Sequence, residues 1–190
     1  MTYAWVWRRG ALLAATVLLA ACTQAVRVDT GMHAHAVADS PFGVTGRLSA
    51  HHASDALAAN FNWQHRLDGD TIVLSTPLGQ TLAELARADG GVSVALADGR
   101  HASAASFDEL TTQAFGVPLP VTGLTWWIRG LPRNGSAFAI ERDAAGRASV
   151  LRQDGWEIDY SYADDAATLP RRLLLAYPDV DMRVVVDQWQ

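Results

Sequence analysis

The chain has 190 residues, a net charge of −5, and a composition that is 49% hydrophobic and 18% charged, which suits one domain with a sizeable core and argues against general disorder. The negative balance gives no support to nucleic-acid binding. All fifteen basic residues are arginine, so a Schiff-base lysine, a phosphate-loop lysine and a Ser-Lys dyad are excluded, and the chain does not read as ATP-driven.

The N-terminus opens with Arg8 and Arg9 followed by GALLAATVLLAAC. This apolar run is too short to cross a bilayer as a helix, which takes roughly 20 residues. A charged start, a short apolar core and small residues before a cut site describe an export signal over residues 1–21. Leu19-Ala20-Ala21-Cys22 resembles the bacterial lipobox. That resemblance implies cleavage before Cys22, diacylation of its sulfur and acylation of the new amine. The alternative is an ordinary signal with an incidental cysteine, but Cys22 is the only cysteine of an exported chain and has no internal partner. Three acyl chains exceed the two signals that stable anchoring usually needs. Thr23, where Asp would favour retention at the inner membrane, resembles the pattern of sorting to the outer membrane.

Residues 22–40 lack sustained periodicity and read as the acylated N-terminus and a flexible tether, with a coil reach of about 25 Å. His33 and His35, and His51 with His52, raise the question of a metal site. No carboxylate or cysteine stands at ligand spacing beside them, so they read as solvated loop histidines and no metal is expected.

From Pro41 to Gln190 the chain reads as a single domain. Leu57, Ala59, Phe61 and Trp63 alternate with polar or small residues as in a half-buried strand, and Ile72 and Leu74 follow in a second. Thr76-Pro77-Leu78-Gly79 is turn chemistry with an apolar residue at its tip. A strand from about Gln80 to Arg87 and another through Val92, Val94 and Leu96 complete a meander of hairpins.

Mid-chain the pattern changes. Ser106 and Glu109 have capping-box spacing, Phe107, Leu110 and Ala114 follow at helical spacing, and Gly116 is a stop. GLTWWIRGLP predicts a second short helix from about Leu124 to Arg129. Its consecutive Trp126, Trp127 and Ile128 point around most of the circumference, so several sides need cover or face a ligand. Strands then resume through Phe138 and Ile140, Val150, the one-sided run Trp156, Ile158, Tyr160, Tyr162, and the closing Val180–Val186. The expectation is a mainly β (α+β) fold: a curved antiparallel sheet of about ten to eleven strands forming a half-open barrel, with two or more short helices inserted as a lid over an apolar cavity.

No hydrolase, redox, metalloprotease or dinucleotide motif occurs, and the carboxylates fall in turns and on polar strand phases. The Asp108–Glu109 pair is explained as first-turn helix charge. The chain does not read as an enzyme and no cofactor is expected.

GRLS, FNW, STPLGQTLAEL, GVPLPVTGLTWWIRGLP, RQDGWEIDY, LPRRLLL and a late Trp in VVVDQW occur in this order from Phe42 to Trp189. Together with the lipobox they resemble the LolB family of outer-membrane lipoprotein receptors. The resemblance implies a monomeric receptor on the periplasmic face of the outer membrane, anchored through Cys22. It would accept lipoproteins from the carrier LolA, bind their acyl chains in the cavity and insert them into outer-membrane lipid without nucleotide hydrolysis. It also implies that Leu78 contacts the membrane. The residues assigned to the cavity wall are Phe61, Trp63, Ile72, Leu74, Trp126, Trp127, Ile128, Trp156 and Ile158. The alternative is a membrane-tethered binder of lipid or another hydrophobic ligand with no carrier partner.

Overall fold

The structure, a computed structural model, describes residues 27–31, 40–88 and 90–190. Its frame is one antiparallel sheet. The strands are β1 (Arg27–Gly31), β2 (Phe42–His52), β3 (Asp55–Arg66), β4 (Gly69–Ser75), β5 (Thr81–Ala88), β6 (Gly91–Leu96) and β7 (His101–Ala104). After the helices α1 (Phe107–Phe115) and α2 (Val121–Trp127) come β8 (Phe138–Arg142), β9 (Ala148–Gln153), β10 (Trp156–Ser161), β11 (Arg172–Tyr177) and β12 (Val180–Trp189).

The order across the sheet is β1-β8-β9-β10-β11-β12-β2-β3-β4-β5-β6-β7. The last strand thus pairs with β2, with Val184 opposite Leu48. The sheet is open, with β1 and β7 at its edges. Because β7 is one edge and β8 lies beside the other, the chain from 105 to 137 must cross from edge to edge. Both helices lie on that crossing, and their buried residues join those of the sheet in one core. This is the half-barrel with inserted helices that the alternation pattern predicts.

The local chemistry explains most boundaries. In β3 the buried residues are Leu57, Ala59, Phe61, Trp63 and His65, a clean period of two. Ser106 caps α1, its Oγ accepting from the Glu109 N–H at 3.2 Å. Gly116 ends α1 in the left-handed region at φ 74°.

Several features differ from expectation. The sheet has twelve strands against ten to eleven. β7 is only four residues long, too short to show a period. β1 falls within the stretch read as tether: Arg27–Gly31 pairs with Arg142–Phe138, and the β8 edge satisfies backbone groups that no local sequence pattern advertises. Finally, α2 begins at Val121, about three residues before the expected start. Gly123 is tolerated inside it because the Trp127 indole lies over it; a Cβ there would come within 2.4 Å of that ring.

Candidate functional site: an apolar cavity under the lid

A cavity lies between the sheet and the α2 segment. Phe61 and Trp63 of β3, Ile72 and Leu74 of β4, and Leu85 of β5 form one wall. The register sets two of its rows, Trp63–Ile72–Leu85 and Phe61–Leu74. Leu48 of β2 and Met182 and Val184 of β12 extend it, and Leu119, Val121, Leu124 and Ile128 form the roof. Every lining side chain is apolar, so the cavity offers dispersion and desolvation but no fixed polar contact. Its volume is about 40 Å³, smaller than the roughly 150 Å³ that lets an apolar cavity admit benzene.

Polar ties fasten the C-terminal end of α2. Trp127 Nε1 donates to Gln153 Oε1 at 2.9 Å. Gln153 also accepts from the Arg133 N–H at 2.7 Å and donates to the Arg133 carbonyl at 2.8 Å. Arg129 donates to Ser40 Oγ at 2.8 Å, and its guanidinium lies over the rings of Phe42 and Trp126. The other end of α2 starts at Pro120 without a side-chain cap.

Below the wall sits a buried polar cluster. Asp70 accepts from Trp63 Nε1 at 2.9 Å, from His65 Nδ1 at 2.7 Å and from Arg87 Nε at 2.6 Å. Burial raises the Asp70 carboxyl pKa, but the hydrogen bonds from His65, Trp63 and Arg87 and the Arg87 charge outweigh it and hold the carboxyl below its ordinary range. His65 and Asp70 stand in no motif; only their opposed register across β3 and β4 unites them.

The residues read from sequence as cavity wall divide into two groups. Phe61, Trp63, Ile72, Leu74 and Ile128 line the cavity. Trp126, Trp127, Trp156 and Ile158 do not. Trp126 is half-buried beside Arg129. Trp127 turns away from the cavity toward Gln153 and Trp156, whose ring centroid is 6.3 Å distant. Trp156 in turn packs on Tyr177, and Ile158 is closed in the core. Consecutive residues on a helix point about 100° apart, so three in a row cannot all face one side. Sequence reasoning missed the contributions of β2 and β12, whose inward phases were readable but whose adjacency was not.

Leu78 is 91% exposed, the most exposed large apolar residue among those described. Its turn is pinned. The Gly79 N–H donates to the Thr76 carbonyl at 2.9 Å, the Thr76 N–H to the Gln80 carbonyl at 2.8 Å, and Asn60 Nδ2 to the Thr76 carbonyl at 3.2 Å. Gly79 takes φ 84°, which a side chain would disfavour. The backbone is thus satisfied while Leu78 projects into solvent. Cys22, His33 and His35 lie outside the described residues. His51 and His52 end a strand in place of a loop, and His52 Nδ1 donates to the Gly116 carbonyl at 2.8 Å, tying α1 to β2.

Comparison with known proteins places this architecture. A solved structure of a DUF1329 family protein from Desulfovibrio piger shares the fold, with a TM-score of 0.50 at 8% identity over 79% of this chain and 85% of that one. The chain is 38% identical over 184 residues to the outer-membrane lipoprotein LolB of Chromobacterium violaceum, covering 96% of this chain and 99% of that protein. It is 35% identical over 158 residues to the outer-membrane lipoprotein LolB of Nitrosomonas europaea, covering 81% and 74% respectively. The family model described as "Outer membrane lipoprotein LolB" matches residues 40–189. An open sheet closed by a helical lid, matched along nearly its whole length by these sequences, makes this chain a member of the LolB family of outer-membrane lipoproteins.

Proposed function

We propose that this protein is the outer-membrane receptor that accepts lipoproteins from the periplasmic carrier LolA, holds their acyl chains under the α2 lid and inserts them into the membrane. The observation that carries the reading is the wholly apolar cavity roofed by the short α2 segment, which is tied to Gln153 at one end and, through the Leu119 N–H, to Thr111 Oγ1 at the other. Acyl chains cannot cross water bare: burial is worth about 0.8 kcal/mol per CH₂, so a sixteen-carbon chain left in water costs on the order of 10 kcal/mol. Entry requires the lid to swing, because the closed volume is far below that of one chain. The handover runs downhill from carrier to receptor to bilayer, with no nucleotide site and no chemical step.

In this reading residues 1–21 are a signal, Cys22 is the acylated anchor, the following segment to residue 40 joins it to the domain, and the domain occupies 41–190 as a monomer on the periplasmic face. Leu78 is the membrane-contacting tip. The deciding experiment mixes LolA loaded with a labelled lipoprotein with the acylated receptor in liposomes. Transfer to the receptor, and then to lipid, without nucleotide supports the reading. Binding of free fatty acid with no transfer from loaded LolA would reduce the protein to a lipid binder without a carrier.

A further inference from the structure

Tyr160 of β10 is 8% exposed, and its buried hydroxyl has no hydrogen-bond partner among the described residues. A buried tyrosine hydroxyl usually has one, because leaving it unpaired costs stability. The next tyrosine along the chain shows the usual case: Tyr162 Oη donates to the Ala148 carbonyl at 2.9 Å. Burial raises the Tyr160 pKa well above the ordinary phenol value, and the nearby Tyr162 adds to this, so the group stays protonated and able to donate.

Tyr160 belongs to the buried phase of β10, with Trp156 and Ile158. Its row runs through Leu173 of β11 to Val184 of β12 and Leu48 of β2. Val184 and Leu48 line the apolar cavity, so Tyr160 stands two strand spacings, about 10 Å, from that part of the wall. The C-terminal end of α2 covers this face of β10. On one side of Tyr160, Trp127 lies against Trp156. On the other, a Cβ on Gly130 would come within 3.5 Å of Tyr162 Oη. Tyr160 lies between these two contacts, so a movement of α2 that admits a chain would also uncover its hydroxyl.

We infer that the Tyr160 hydroxyl is the polar anchor of the acyl site, donating a hydrogen bond to the carbonyl oxygen at the ester or amide linkage where a bound chain begins. The cavity wall is wholly apolar. It serves the methylenes of a chain but gives that carbonyl no donor, and a carbonyl taken out of water unpaired costs binding energy. Tyr160 supplies the donor. A chain held there runs its methylenes along the row of Leu173, Val184 and Leu48 into the cavity. The pairing satisfies two groups that are otherwise orphaned, so it favours an acyl chain over a plain hydrocarbon of equal length and fixes how deep the chain enters. The inference rests on the acyl-chain reading proposed above.

The test uses the full-length receptor in nanodiscs and synthetic lipopeptides with sixteen-carbon chains. One probe carries its glyceryl chains through esters, a second through ethers, and a third adds an N-acyl amide to the ether form. Binding is read as the excess over nanodiscs without receptor. Wild type should prefer a carbonyl-bearing probe over the ether probe by about tenfold, and the probe preferred tells ester from amide. Tyr160→Phe should abolish the preference, bind the ether probe as wild type does, and keep or raise Tm, because it removes an orphaned donor. Tyr162→Phe, which loses a made bond, should lower Tm and keep the preference. With a ¹³C-labelled carbonyl, the infrared band of the bound probe should lie at lower wavenumber in wild type than in Tyr160→Phe. Equal binding of all probes by wild type, a preference that survives Tyr160→Phe, or equal loss of it in Tyr162→Phe would each overturn the anchor. A fall in Tm with loss of every probe would make Tyr160 a structural residue and overturn it too. Should Tyr160→Phe not fold, the wild-type preference and a lower carbonyl band than in receptor-free nanodiscs decide alone, and absence of either overturns the anchor. Failure of wild type to bind any probe would overturn the acyl-chain reading as well, whereas binding without preference overturns the anchor only.

Discussion

The indole Nε1 of Trp63 donates a 2.9 Å hydrogen bond to Oδ1 of Asp70, joining a residue of the cavity wall to a buried carboxylate beneath it. Asp70 in turn is held by His65 and by Arg87, whose charge balances it. The position of one wall residue therefore depends on a polar cluster that no lipid would touch.

Removing the carboxylate should loosen that wall. Asp70→Ala leaves Trp63, His65 and Arg87 without their shared acceptor, and breaking a buried charged network from one side costs about 3 kcal/mol. Asp70→Asn keeps an acceptor for the indole and should recover part of the loss. Urea midpoints of the two variants test this; equal stability of Asp70→Ala and wild type would show that the cluster contributes nothing.

The same cluster sets an acid limit. The folded Asp70 carboxyl lies below its ordinary 3.8, so the folded state binds its proton less tightly than the unfolded chain does. Its stabilisation is complete above the ordinary value and is lost as pH falls through the lowered folded value. The gap in Tm between wild type and Asp70→Asn should be constant near neutrality and narrow as pH falls below the ordinary carboxylate range. A gap that narrows only on going alkaline would contradict the assignment.

Leu78→Glu should leave the fold and uptake from LolA intact while blocking delivery, so that cargo accumulates on the receptor. One inserted Leu contributes only about 1.5–3 kcal/mol, too little to anchor a protein already held by acyl chains but enough to orient the rim. Liposome reconstitution with a labelled lipoprotein reads the outcome. Normal delivery by the variant would remove the turn from the mechanism.

Trp127 is a core residue and should behave as one. It is 1% exposed and bonded to Gln153, so Trp127→Ala should cost about 3–5 kcal/mol of stability. Leu124→Ala, at the roof of the cavity and near existing empty space, should cost less and alter acyl-chain binding more. Thermal unfolding paired with fluorescent fatty-acid titration separates the two. The reverse ranking would place Trp127 on the ligand.

Cys22→Ala should abolish acylation and release the protein from the membrane with its Tm unchanged. The cavity and the lid ties are built from residues 40 onward. A lowered Tm in the soluble variant would show that the anchor takes part in folding.

Much of this molecule was legible in sequence because its signals are local. Period-two alternation marks β3 and β10; Ser106 and Gly116 bound α1; and Pro77 with Gly79 marks a turn that leaves Leu78 outside. Each of these depends on neighbours a few positions away, where backbone sterics and capping act. Tertiary structure alone decided what depends on distant partners. Residues 27–31 become a strand only because β8, more than a hundred positions later, leaves an edge to pair with. Trp127 and Ile128 are consecutive and apolar, yet one faces Gln153 and the other the cavity, because successive residues on a helix point about 100° apart and only the surrounding sheet determines which direction is empty.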